Sequence, residues 1–340
     1  MQKVAMVNPT LEDVAAIAGV SPTTVSRVLN NRGYLSEKTK QKVFAAMQEL
    51  DYRPNAIARS LQNKKTKIVA LIFPTVAHPF YGAMATYLEE RLSDRGYRVI
   101  LCNSQDHPER ERDYIDMLLS HHVDGVITGA HSDAIANYPT LRSALVTIDR
   151  EQSQRYPNIR CDNYGGARKA TSALIDAGAH HIVHITSTQY DTNQRQRGYL
   201  DVMQENNLEP RILEVGFAAE SAAKNRAITD YLDQHPEVDA VFGSNDTYAA
   251  YALNWAQVQE KKVPQDFQVV GFDGTQAIHS LLPHLATVVQ PIEDMAERAV
   301  ERLVEAMESS TPHEVMADES RLENDVFPTV FRPGTTVRLP

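Results

Sequence analysis

Residues 19–30 read GVSPTTVSRVLN, a stretch in which Pro22 stands among residues that otherwise favour a helix. Inside a helix a proline costs about 3 kcal/mol, because it removes a hydrogen bond and clashes with the preceding turn. At the first helical position that penalty disappears, since the N–H there has no intrahelical partner. Ser21, directly before it, is a strong N-cap residue. The spacing of Thr24, Val25, Val28 and Leu29 therefore predicts a helix that begins at Pro22. Upstream, LEDVAAIA (11–18) places Leu11, Val14, Ala15 and Ala18 on one face behind Thr10 as cap, and Gly19 ends it. Two short helices joined by a tight glycine turn make a helix-turn-helix. The start of its second helix offers Thr23, Thr24, Ser26 and Arg27, side chains that reach phosphates and base edges. Taken alone, the pattern also fits an ordinary helical hairpin with solvated polar faces.

Working outward, Ser36 caps a third predicted helix, EKTKQKVFAAMQEL (37–50), with Val43, Ala46, Met47 and Leu50 as its inner stripe. Pro54 stops it, and NAIARSLQ (55–62) has length for about two turns, too short to be stable alone in water. Charge separates this head from the rest. Residues 1–67 hold 11 Lys and Arg against 5 Asp and Glu, whereas the whole chain carries a net charge of -10. A basic head on an acidic body suits a chain of which only the head meets an anionic polymer.

From Ile68 the texture changes. Apolar runs of strand length alternate with amphipathic stretches: IVALIF (68), VILCNS (99), GVITGA (125), ALVTI (144), HIVHIT (181), ILEVGF (212), AVFGSN (240) and FQVVGF (267). Continuous Val/Ile/Leu runs between helices indicate parallel strands covered on both faces. Eight such strands in two groups predict two similar α/β lobes. Ligands of these sheets sit beyond the carboxyl ends of the strands, where the chain places Asp149, Asn245, Asp246 and Asp273.

Other classes find little support. His181 and His184 lie an odd number of residues apart in a strand, which points them to opposite faces and away from a shared metal. The chain has no G-x-G-x-x-G, no G-x-x-x-x-G-K-[ST] and no G-x-S-x-G motif. Neither an enzyme nor a cofactor or metal is expected. Cys102 and Cys161 are few and far apart, no signal-like start is visible, and no apolar run approaches membrane length. The expectation is a cytoplasmic protein with reduced thiols and no membrane association.

The head motifs LEDVAAIAGVSPTTVSRVLN, SEKTKQKV and YRPNAIARSL closely resemble the LacI/GalR family of bacterial transcription repressors. VAHPFYGAM, DGVI (124–127), SNDTYAAYAL, VVGFDGT and TVVQP resemble that family's body in the same order. The resemblance implies an all-α helix-turn-helix head (1–53), a hinge (54–67) and a body (68–340) of parallel sheets like a periplasmic binding protein. Its N-lobe would comprise about 68–162 plus 292–322, its C-lobe about 163–291 plus 323–340. A homodimer would set two heads on a near-palindromic operator, and the absence of leucine heptads in the tail (323–340) favours a dimer over a tetramer.

By the same resemblance Pro22, Thr23 and Arg27 fall where bases are read, and Ser21, Thr24 and Asn30 where phosphates are held. Thr10, Leu11, Ser26 and Tyr52 complete the head's DNA-binding set. In the hinge, Asn55, Ala58 and Leu61 fall at minor-groove positions, with Leu61 as the wedge. The effector set is Arg195 and Asp273 first, then Asp149, Arg150, Asn245, Asp246, Phe80 and Phe217, with His78 and Tyr81 weaker. For the aromatic residues core packing is an equal alternative. Within the family, the stretch RGYRVILCNSQDHPERERDYIDMLLSHHVDGVITGAH (95–131) is most similar to sucrose operon repressors of low-GC Gram-positive bacteria. That implies sucrose or a fructose-containing sugar as effector. A ribose-type member, or a carbon regulator with a phosphocarrier protein as corepressor, is the alternative, and a sugar sensor with no DNA role is the rival from another class.

Overall fold

In the computed structural model, Ser21 and Pro22 take the places that the sequence predicts. The structure describes residues 9–29, 33–52, 65–105, 107–120, 123–129, 144–149, 156–187, 193–309 and 325–338. Asn30, Asn55, Ala58, Leu61 and Arg150 lie outside the described residues. The chain divides into two units, Met1–Thr66 and Lys67–Pro340.

In the first unit, α1 (Leu11–Ala18) opens on a reciprocal capping box. Thr10 N–H donates to Asp13 at 2.8 Å, and Asp13 N–H donates to the Thr10 hydroxyl at 3.3 Å. Gly19 ends the helix at φ +62°, a left-handed position that a side chain would strain. Helix α2 (Pro22–Leu29) begins where Thr24 N–H donates to the Ser21 hydroxyl at 3.1 Å. Helix α3 (Glu37–Glu49) is capped in the same way by Ser36. Their shared core is built from Val14, Ala15, Ala18, Val25, Val28, Val43 and Ala46, with Met47 and Leu50 only partly buried. These are small side chains, so the three helices approach closely but bury little area apiece.

Among the described residues the second unit holds two six-stranded sheets. The first consists of β1 (Ile68–Phe73), β2 (Arg98–Asn103), β3 (Gly125–Thr128), β4 (Ala144–Ile148), β5 (Asn158–Cys161) and β11 (Val326–Phe327), in the order β2-β1-β3-β4-β5-β11 and all parallel. The second consists of β6 (Ile182–Thr186), β7 (Arg211–Glu214), β8 (Ala240–Gly243), β9 (Gln268–Asp273), β10 (Ala286–Val289) and β12 (Val330–Arg332), in the order β7-β6-β8-β9-β10-β12 with β12 antiparallel. Both share the doubly wound order in which a switch point lies between the first and third strands. Helices α4 (Pro79–Asp94) and α5 (Pro108–Leu119) follow β1 and β2. In the second lobe α6 (Asn163–Asp176), α7 (Gln194–Glu205), α8 (Ser221–Gln234), α9 (Asp246–Val258) and α10 (Gln276–Leu281) alternate with the strands. Helix α11 (Ile292–Glu308) returns to the first lobe. There it packs Met295, Ala296, Ala299, Val300 and Leu303 against α4 and β3 to β5.

Two expectations need correction. The structure has twelve strands rather than eight among the described residues, because NIRC (158–161), ATVV (286–289) and two edge strands of two and three residues also pair. The lobe boundary expected at 322/323 is also misplaced. Val326–Phe327 pairs with β5 in the first sheet, and the chain crosses only between Phe327 and Val330. Among the described residues the lobes are thus joined at Cys161–Asn163, Val289–Ile292 and Phe327–Val330.

Candidate DNA-contacting helix and effector cleft

In the head, Ser21, Pro22, Thr23 and Arg27 are exposed, whereas Thr24 and Ser26 are half-buried. The Ser21 and Thr24 hydroxyls lie 2.9 Å apart, so this pair fixes the helix start as well as presenting oxygen atoms to solvent. Thr10 is exposed as the cap of α1, Leu11 is partly buried, and Tyr52 N–H closes the end of α3 on the Met47 carbonyl at 2.9 Å. An exposed helix start bearing hydroxyls and a guanidinium, on a unit rich in Lys and Arg, is suited to an anionic duplex.

The body's polar residues converge on Arg195, the second residue of α7. Its Nε donates to Asn163 Oδ1 at 2.7 Å, Nη1 to the Ser244 carbonyl at 2.6 Å and Asp273 Oδ1 at 3.4 Å, and Nη2 to Asp149 Oδ2 at 3.2 Å. The guanidinium carbon lies over the Phe272 ring, 3.8 Å from its centroid. Helix α7 reaches this position by packing on α6 at Gly198, where a Cβ would lie 2.5 Å from the Tyr164 carbonyl oxygen.

Asp149 and Asp273 stand at equivalent points of the two sheets. Asp149 follows β4 and Asp273 ends β9, each the fourth strand in its order. Both have left-handed backbones, φ +51° and +104°, which a non-glycine residue holds only where its surroundings fix it. Burial pushes the Asp273 carboxyl well above the ordinary carboxylate range, and Asp246 and Asp149 push the same way. Arg195 and a 2.7 Å bond from Gln290 Nε2 oppose them.

Asn245 and Asp246 differ from expectation. Asn245 caps α9, with Oδ1 accepting from Tyr248 N–H at 2.9 Å. Asp246 is 2% exposed, and its two oxygens accept from Gly274 N–H at 2.8 Å and the Thr287 hydroxyl at 2.5 Å. Its place among cleft contacts is therefore corrected: it braces the turn after Asp273 from within the second lobe.

The aromatic residues form a cluster spanning the lobes. His78, the N-cap of α4, has its ring 5.0 Å from Phe217 and 6.0 Å from Tyr81. Tyr81 donates to the Gly129 carbonyl at 3.2 Å, and Lys224 Nζ lies 5.3 Å from the Phe217 ring. Phe80, 4% exposed, belongs to the core as well as to the cluster. The sequence did not single out Asn163, Gln290 or the Ser244 carbonyl, which hold the charged residues in place. A polar residue at a lobe crossing is the signal that points to the first two.

A basic helix-turn-helix on a two-lobed body whose crossings flank a charged cleft defines a ligand-responsive DNA-binding regulator. Residues 10–55 match bacterial regulatory proteins of the lacI family, and residues 171–323 match a periplasmic binding protein-like domain. The sucrose operon repressor of Pediococcus pentosaceus is 42% identical over 305 residues, covering 89% of this chain and 93% of its own. The ribose operon repressor of Halalkalibacterium halodurans is 36% identical, covering 88% of this chain and 90% of its own. A lac repressor dimer bound to operator and the anti-inducer ONPF superposes with a TM-score of 0.81 at 23% identity, covering 98% of this chain and 100% of that one. The chain belongs to the LacI family and is a DNA-binding repressor. Among the described residues no helix is long and apolar enough to cross a membrane.

Proposed function

We propose that this protein represses a sucrose-utilisation operon in the cytoplasm, binding a near-palindromic operator as a homodimer, and that sucrose or another fructose-containing sugar in the cleft sets its operator affinity. One observation carries the sugar reading: Arg195 is held between Asp149 of one lobe and Asp273 of the other. A guanidinium flanked by carboxylates and amides offers paired donors and acceptors to neighbouring hydroxyls, and the His78–Phe217 cluster offers ring faces to C–H groups. The name of the Pediococcus relative supports sucrose. In the head, Pro22, Thr23 and Arg27 read bases, with Pro22 making an apolar contact, while Ser21, Thr24 and Asn30 hold phosphates. In the hinge, Asn55, Ala58 and Leu61 enter the minor groove.

The identity to a ribose operon repressor favours ribose as the second reading. The test is fluorescence anisotropy on an inverted repeat selected by the protein from a randomised duplex pool, with sucrose, fructose, ribose or a phosphorylated carrier protein added. Sucrose is expected to change operator affinity by tens-fold, a coupling of about 1–3 kcal/mol. Arg27→Ala is expected to lose about 1–3 kcal/mol of base discrimination. Recovery of no specific duplex overturns the repressor reading, and a response to ribose or the carrier protein alone overturns sucrose.

A further inference from the structure

Asn163 does not cap a helix, contact solvent or carry charge, yet it meets both charged residues that face each other across the cleft. It is 3% exposed and opens α6, two residues after the end of β5, on a crossing between the lobes. Its neighbour Asp162 already caps α6, accepting from Gly165 N–H at 2.8 Å, so the Asn163 side chain is not needed to start the helix. Instead, Nδ2 donates to Asp149 Oδ1 at 2.6 Å, and Oδ1 accepts from Arg195 Nε at 2.7 Å. Arg195 Nη2 closes the triangle on Asp149 Oδ2 at 3.2 Å. The Cys161 thiol also donates to Asn163 Oδ1, at 3.3 Å, which fixes which end of the amide faces which partner.

The amide serves both sides of this triangle, donating at one end and accepting at the other. A carboxylate would accept from Arg195 but set like charges together at Asp149, and an apolar side chain would leave both partners unmet. A ligand hydroxyl that competes for Asp149 Oδ1 or for the Arg195 Nε–H, the two groups bonded to Asn163, rearranges those bonds. Because Asn163 is part of the crossing, that rearrangement bears on the backbone joining the lobes rather than ending in a side-chain rotamer.

We propose that Asn163 is a positioning residue that transmits occupancy of the cleft to the angle between the lobes. This rests on the sugar-controlled repressor reading above for its biological meaning, but its physical content is separable from it. The experiment uses the full chain as wild type, Asn163→Ala, Asn163→Asp and the swap Asn163→Asp with Asp149→Asn, which restores one donor and one acceptor between those two positions.

Sucrose affinity is measured by calorimetry, and operator affinity by anisotropy without sucrose and at sucrose saturating for each protein. In the wild type the operator affinities are expected to differ at least tenfold. In Asn163→Ala the ratio is expected to fall below about twofold while sucrose affinity weakens less than tenfold. A ratio that returns to the wild-type value at saturating sucrose overturns the proposal, because Asn163 would then be a ligand contact only. Hydrogen exchange of the sugar-free proteins gives the second readout. Asn163→Ala and Asn163→Asp are expected to speed exchange at 161–163, 289–292 and 327–330 together, and the swap to restore protection there. Faster exchange confined to the first turn of α6, or equal exchange in the swap and Asn163→Asp, overturns the proposal. A wild type that ignores sucrose overturns the sucrose reading alone, and exchange still decides the role of Asn163.

Discussion

The two lobes have the same strand order but do different work at the same positions. In each, the helix after the first central strand opens towards the cleft, and its second residue is Phe80 in α4 but Arg195 in α7. In each, the fourth strand in order delivers an aspartate with a left-handed backbone, Asp149 or Asp273. The Asp149 side chain is 16% exposed and that of Asp273 only 5%. A repeated scaffold thus supplies a mainly aromatic wall and a mainly charged wall, each with one contribution from the opposite lobe (Phe217 and Asp149), and apart from the antiparallel β12 the asymmetry lies in a few side chains. The lobes also differ inside. β1 is wholly apolar, IVALIF, whereas β6 carries His184 sealed between Tyr199 and Phe242. The first lobe keeps its buried ion pair, Arg302 with Asp325, between α11 and the start of β11.

The sharpest test makes the second lobe resemble the first. Arg195→Phe strands Asp273 and Asp149 without their cation, and is expected to remove sucrose binding in calorimetry and to lower unfolding free energy in urea by about 3–5 kcal/mol. A variant of wild-type stability would mean the charged wall is held by something else. In the first lobe, Arg302→Met is expected to lose about 3–5 kcal/mol by leaving Asp325 unpaired. Adding Asp325→Leu is expected to recover most of that loss, with the sucrose response intact throughout. If the double variant stays as unstable as the single one, the ion pair is irreplaceable there.

His184 gives a pH test confined to the second lobe. Burial pulls its pKa down to about 3, so the folded protein keeps the ring neutral where an unfolded chain would bind a proton. Its stabilising contribution is complete above the unfolded value of about 6.5 and falls as pH drops towards 3, by about 1.4 kcal/mol per pH unit. Urea titrations at pH 7 and pH 5 are expected to show this slope in the wild type and to lose it in His184→Phe. The mildest expected effect compares the aspartates. Asp273→Asn keeps Oδ1 as acceptor for Gln290 and replaces a carboxyl whose ionisation burial disfavours. It is expected to raise the melting midpoint of the sugar-free protein by about 2–4 °C while abolishing the sucrose response. Asp149→Asn sets an amide N–H against a donor, because both Asp149 oxygens accept, and is expected to lower the midpoint by about 2–4 °C in the same calorimetric scan.

Features fixed by near neighbours were legible in the sequence. Thr10, Ser21 and Ser36 announce helix starts through partners three residues away, Pro22 does so by having no N–H to lose there, and Asp149 and Asp273 stand out because each comes at the end of an apolar strand. What escaped depends on partners distant in sequence. Asn163 meets Arg195 at a separation of 32 residues, and Gln290 meets Asp273 at 17. NIRC (158–161) alternates polar and apolar residues because β5 lies near the sheet edge, where only some positions are covered. The edge strands at Val326–Phe327 and Val330–Arg332 are too short to leave a periodic signal. The placement of Asp246 failed for a related reason: its residue type suits a cleft, but Thr287 and Gly274 turn it inward.

The thiol beneath Asn163 turns this geometry into a chemical clock. Cys161 is 0% exposed, and burial holds its pKa well above that of a free thiol, so an alkylating reagent meets neither an accessible sulfur nor a thiolate. Modification of Cys161 must wait for the β5–α6 junction to part, and its rate under native conditions therefore counts openings of that junction.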